Sequence, residues 1–271
     1  MTPKRFILLA ILLGTTSIAF EATALADVFK PSTDAYHSTH IAFMAALVIG
    51  QFALYFSARA SHPEARLALL FAIGATFTAT GDFINGASSG IEPVSTKLTW
   101  ALLWFGTGYL LYVVAMWLYN EPILKQSTST SNFAKYRYAI ALPILAANVA
   151  GWFMHVGPLV EDFELLRYGS FIFNATIYVA MPMLGIWFFR NSGWSAGGLV
   201  VLMGTLFIPF SDLILFASWL ENGDPDVPSY QLYAYNWFVY FSGQVMISIF
   251  PALAIAGRER SEGSSIPEPQ R

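Results

Sequence analysis

Cysteine is absent from this 271-residue chain. That absence removes disulfides, thiolate nucleophiles, iron–sulfur clusters and cysteine-bound zinc in one step. Charge is scarce as well: 11% of the residues are Asp, Glu, Lys or Arg, against about 25% in soluble domains. The net charge is only −3, and no basic patch with interleaved aromatics marks a nucleic-acid surface. No polar insertion is long enough to form a soluble domain, and no internal repeat of the kind found in many transporters stands out. What fills the chain is apolar sequence, 56% of it. A soluble domain of this size cannot hide that much apolar surface, so the excess faces lipid.

The apolar residues fall into eight stretches: Phe6–Phe20, Thr39–Ala58, Arg66–Ile84, Leu98–Tyr119, Arg137–Val156, Tyr168–Phe189, Ser195–Leu220 and Leu232–Ala256. The last seven have about the 20 residues that a tilted spanning helix needs. With no water in the bilayer core, each must be helical, because every backbone group needs a partner within its own segment. The reading is therefore an all-α polytopic bundle. The first stretch has two readings. Lys4, Arg5, a short apolar run and Ala24-Leu25-Ala26 before Asp27 resemble a secretory signal; the same residues also suit a short retained helix. The chain thus divides into residues 1–26 (first helix or signal-like segment), a membrane domain over 27–256 with seven or eight spans in all, and a polar, disordered tail over 257–271.

Charge orients the bundle. With Lys4 and Arg5 cytoplasmic and each stretch crossing once, eleven of the fourteen Lys and Arg lie on inner segments, leaving only Lys30, Lys97 and Arg167 outside. This positive-inside pattern puts both termini in the cytoplasm, and the expected location is a bacterial inner membrane. The outer loops are acidic. The Asn222–Pro228 stretch has oxygen ligands for a cation but not EF-hand spacing, and reads as a solvated turn.

Against this background Asp82 and Asp212 are costly. A carboxylate at mid-membrane costs about 2.5–3.5 kcal/mol on insertion scales, less toward the interface. Asp82 ends Ala79-Thr80-Gly81-Asp82 near the outer end of the third stretch, and Asp212 follows Pro209 and Ser211 within the seventh. Both helices run outward, and the helical rise sets both carboxylates in the outer third of the bilayer. Taken singly, each is an interfacial or helix–helix contact. Facing one pocket, they would differ in protonation through burial and like-charge proximity, one serving as an acid and the other as a base. That pairing suits hydrolysis through an oxocarbenium-like species. His40, Asn148, His155, Asn174, Tyr178, Tyr235 and Asn236 project to the same half, each also readable as an ordinary interhelical hydrogen bond. His37 and His40 share a face, yet no metalloprotease-like spacing accompanies them, so no metal and no cofactor is expected. A retinal protein is excluded by the lack of a lysine in the last stretch. A transporter using the aspartates as a proton relay stays open.

The motifs, in order, resemble the YhhN-type membrane proteins, which include the lysoplasmalogenases. Gly81-Asp82 looks like a family Gly-Asp. Trp104 to Tyr112 resembles the next helix, with Tyr109 where the family has histidine and Tyr112 matching. Tyr178 falls where the family has a tyrosine. Gly204 to Phe207 followed by Ser211-Asp212-Leu213 resembles a Phe-rich approach to Ser-Asp, and Tyr240 with Gln244 a Tyr-x-x-x-Gln. Lys30-Pro31 also resembles a family Lys-Pro, though a polar stretch follows it here. The resemblance implies eight helices. It also implies cleavage of the vinyl-ether bond of a lysoplasmalogen entering from the bilayer, with Asp82 and Asp212 as acid and base. Tyr109, Tyr112, Asn174, Tyr178, Ser211, Tyr240 and Gln244 are the candidates for holding substrate.

Overall fold

The computed structural model describes residues 1–26, 28, 33–85, 90–91, 94–127, 131–222 and 230–263. Lys30-Pro31, most of the acidic Asn222–Pro228 stretch and residues 264–271 lie outside them. Among the described residues there is no strand. The helices are α1 (Pro3–Leu25), α2 (Thr33–Ala58), α3 (Ala65–Asn85), α4 (Val94–Gln126), a short α5 (Asn132–Lys135), α6 (Ala141–Gly151), α7 (Glu164–Asn191), α8 (Ala196–Asn222), α9 (Tyr230–Ser248) and α10 (Phe250–Gly263). They make the expected eight apolar spans, so the protein is a multi-pass membrane helix bundle.

Most helices outrun their apolar stretches, because backbone hydrogen bonding continues where hydropathy stops. α1 starts at Pro3, with the Thr2 side chain accepting from Arg5 N. It ends at Leu25, five residues past Phe20. The chain stays helical to Gly263, past residue 257, from which the tail was expected to be disordered. Arg258 Nη1 there lies 3.1 Å from Glu64 Oε1.

Two spans depart from a plain helix. The last is split at Ile249, between α9 and α10, where Pro251 removes a backbone donor and restricts Phe250. The fifth span is composite rather than one helix over Arg137–Val156. A 3₁₀ turn (Arg137–Ile140) leads into α6, followed by a π segment (Trp152–Val156) and a second 3₁₀ turn (Gly157–Val160). Gly151, Gly157 and Pro158 are poor helix formers, and the Trp152 ring folds over Gly157. Arg137 docks the start of this span by forking onto Glu121 at 2.7 and 3.0 Å.

The α9–α10 span is the bundle's centre. In its apolar window 83% of the residues are buried, against 11% in the fifth span. Small residues draw the helices around it together. A Cβ on Gly74 of α3 would come within 2.8 Å of the Gly108 carbonyl of α4, and one on Gly204 of α8 within 2.6 Å of the Ile247 amide of α9. Glycine at these crossings is a packing requirement, as is usual where lipid offers no hydrophobic drive for association.

Candidate functional site

α3 and α8 are the third and seventh spans and run the same way. Asp82 is 17 residues into α3 and Asp212 is 16 residues into α8, which puts both roughly 25 Å from the helix starts. The two glycine-lined crossings hold this register, one binding α3 to α4 and the other α8 to α9. Both carboxylates point inward, with exposures of 7% and 6%.

Each aspartate is held by a tyrosine from a different helix. The Tyr240 hydroxyl of α9 donates to Asp82 Oδ2 at 2.9 Å, and the Tyr178 hydroxyl of α7 donates to Asp212 Oδ2. Tyr109 of α4 lies beside Asp212, its buried hydroxyl facing that carboxylate. Asp82 and Asp212 line one cavity of about 20 Å³, together with Asn85, Phe105, Asn236, Trp237 and Tyr240. That is room for about one water molecule. Three polar atoms of its lining residues, Asn85 Oδ1, Asn236 Oδ1 and Trp237 Nε1, are buried without a partner among the described residues. A buried polar group left unpaired is costly, and here such groups gather around two carboxylates.

A second cavity of about 20 Å³ reaches Asp212 from the other side, between α4, the π segment, α7 and α8. Leu102, Val156, Ser170, Phe173, Asn174, Tyr178 and Leu213 line it. Leu213 is 38% exposed on the outside of the bundle, so this cavity lies near the lipid-facing surface.

The residues expected from sequence divide into three groups. Asp82, Asp212, Asn174, Tyr178 and Tyr240 line the two cavities, and Tyr109 stands next to them. Tyr112 and Gln244 sit one turn deeper, where the Tyr112 hydroxyl donates to Gln244 Oε1 at 3.1 Å. Ser211 turns away: it is fully buried and its hydroxyl donates to the Ile208 carbonyl at 2.8 Å. Asn174 Nδ2 donates to the Ser170 carbonyl at 3.1 Å.

Sequence reasoning passed over Asn85 and Trp237 as site residues, and over Glu21 altogether. Glu21 of α1 is 0% exposed. Its Oε1 is 2.7 Å from His40 Nε2, and its Oε2 accepts from the Tyr36 hydroxyl. His40 stacks on Trp237 with ring centroids 3.8 Å apart and planes 13° from parallel. A glutamate directly after the first apolar stretch, Phe6–Phe20, was the available signal.

The YhhN family pattern matches residues 37–249, from the start of the His37/His40 face to the end of α9. The NAD(P)H-quinone oxidoreductase subunit L of Prochlorococcus marinus is 32% identical over 74 residues, 95% of that subunit but 25% of this chain. No solved structure matches the chain.

Proposed function

Because this chain belongs to the YhhN family, the family to which lysoplasmalogenases belong, we propose that it is a membrane-embedded lipid hydrolase cleaving the vinyl-ether bond of a lysoplasmalogen. The carrying observation is the pair of tyrosine-held carboxylates lining one cavity. In the proposed reaction the protonated aspartate donates its proton to the enol-ether carbon, leaving an oxocarbenium ion. The ionised aspartate takes a proton from water as the water adds, and the hemiacetal collapses to fatty aldehyde and glycerophospho-alcohol. Asp82 and Asp212 fill these roles in either order. The tyrosines orient the carboxylates, and Asn85, Asn236 and Trp237 offer hydrogen bonds to the water and the head group. The cavity beside Leu213 suits entry of a lipid sideways from the bilayer, which is expected to be a bacterial inner membrane.

The test is aldehyde release from lysoplasmalogen by purified protein in lipid nanodiscs. Asp212→Asn and Asp82→Asn should each lose on the order of 10²–10⁴-fold in kcat, the contribution typical of a positioned acid or base. No aldehyde from the wild type across several lysoplasmalogens, or full activity in Asp212→Asn, would sink the reading.

One observation favours a second reading, a proton-coupled carrier. Tyr240, Gln244 and Ser248 follow one another at single-turn spacing on α9, and Gln51 Nε2 donates to the Ser248 carbonyl at 2.9 Å. The result is a polar line running from Asp82 into the bundle. Proteoliposome uptake abolished by Asp82→Asn, without hydrolysis, would select this reading.

A further inference from the structure

A second cluster of chemistry-bearing side chains lies against the aspartate cavity, separated from it by one ring. Glu21 comes from α1, Tyr36 and His40 from α2, and Trp237 from α9. Glu21 and His40 are completely buried and Tyr36 is nearly so. The carboxylate holds the imidazole through Nε2 and the phenol through its other oxygen. Tyr36 also packs edge-on against the imidazole, with centroids 4.2 Å apart. The His40 ring is thus contacted by the Glu21 carboxylate at Nε2 and by the edge-on Tyr36 ring.

The consequence passes to Trp237. One face of the indole lies on His40, while Trp237 lines the cavity that holds Asp82 and Asp212. Its centroid is 5.3 Å from that of Tyr240, the residue that donates to Asp82. Generic packing would not need this chemistry. A leucine pair would fill the same space between α1 and α2, and a buried carboxylate within a membrane span is retained where it has a task. Glu21 and Tyr36 also precede residue 37, where the family match begins, so this device is built partly from sequence outside the matched region.

We infer that Glu21 and His40 are positioning residues for the aspartate cavity. They act through Trp237, which they clamp as the wall on the α1–α2 side and so fix the Tyr240–Asp82 hydrogen bond. The inference deepens the hydrolase reading and rests on it for its kinetic consequence, but not for the clamp itself. Trp237 emission, isolated as the difference between each protein and its Trp237→Phe counterpart, reports the clamp directly. With Glu21→Gln and His40→Ala combined, acrylamide quenching of Trp237 should rise about threefold. With Glu21→Gln and His40→Phe combined, which keeps the stack and leaves no lone carboxylate, quenching should stay at the wild-type value. In the lysoplasmalogen assay, Glu21→Gln should lower kcat about tenfold with KM within twofold, and Glu21→Asp should recover part of the loss. A merely structural role would instead lower thermal stability with kcat per folded protein unchanged. Unchanged Trp237 quenching when His40 is truncated, or unchanged kcat in Glu21→Gln, overturns the inference. If the wild type hydrolyses no lipid, the hydrolase reading falls, and the quenching comparison alone decides whether the clamp exists.

Discussion

Gly204→Ala is a one-methyl perturbation placed two turns below Asp212, about 12 Å along α8. The added Cβ would sit 2.6 Å from the Ile247 amide nitrogen and 3.0 Å from the Gly243 carbonyl oxygen, against the 3.4 Å at which contact becomes ordinary. Both neighbours are backbone atoms of α9, so no side chain can swing aside. α8 and α9 must therefore part by about 0.8 Å at that level. Overpacking of this kind typically costs about 1–3 kcal/mol of stability. The consequence for chemistry is larger than for folding. Asp212 rides on α8, while Asp82 is tied to α9 through Tyr240, so the α8–α9 gap directly sets the separation of the carboxylates. A displacement on the order of 1 Å in such a pair costs about 10²-fold in rate. Aldehyde release at saturating lysoplasmalogen should accordingly fall about a hundredfold in kcat, with KM little changed and a lowered melting temperature. Gly151→Ala is the control, since a Cβ there meets nothing within 4 Å. A folded Gly204→Ala protein within twofold of wild-type kcat would refute the idea that this crossing sets the site.

Tyr178→Phe and Tyr240→Phe each remove the donor to one buried carboxylate, a hydrogen bond to a charged group worth about 1.5–3 kcal/mol. Each should slow turnover by roughly 10–100-fold, and activity equal to wild type in both would dismiss the tyrosines from the site. The Glu21 contacts with Tyr36 and His40 require α1 in place, so intact mass spectrometry of the membrane-extracted protein should find residues 1–26 retained. A chain beginning at Asp27 would contradict this. The absence of native cysteine makes topology directly readable. A single cysteine introduced at Ser192 should be labelled only from the cytoplasmic side and one at Glu161 only from outside, and the opposite pattern would reverse the orientation inferred from charge.

The eight spans were legible because lipid makes one demand of each of them. A stretch such as Leu98–Tyr119 must be helical whatever it packs against, so hydropathy alone identifies it. Its ends were not legible, since α4 continues to Gln126 through Pro122 and a surface turn that lipid does not constrain. The fifth span is present as expected, over Arg137–Val160, but its internal make-up was hidden for a related reason. Hydropathy registers Arg137–Val156 as one apolar run, but it is blind to the hydrogen-bond register that lets Trp152–Val156 widen into a π segment beside Ser170, whose hydroxyl accepts from Trp152 Nε1 at 3.0 Å.

At the site, what helical periodicity couples was readable and what only tertiary packing couples was not. Asn174 and Tyr178 are four residues apart and share a face, and both line the cavity between α4, the π segment, α7 and α8. Ser211 entered through the resemblance to the family's Ser-Asp motif, next to Asp212. Yet neighbours on a helix point about 100° apart at 3.6 residues per turn, and Ser211 spends its hydroxyl on the Ile208 carbonyl. Gln244 shares the face of Tyr240 but stands a turn deeper, where it serves Tyr112 and not the aspartates. Glu21 is the sharpest case. In sequence it closes an apolar run and reads as the polar end of that run. It becomes a membrane-buried carboxylate only because α2 brings Tyr36 and His40 to meet it. Its environment is a property of three helices together, which is why the wall of the aspartate cavity on that side had to be found in space.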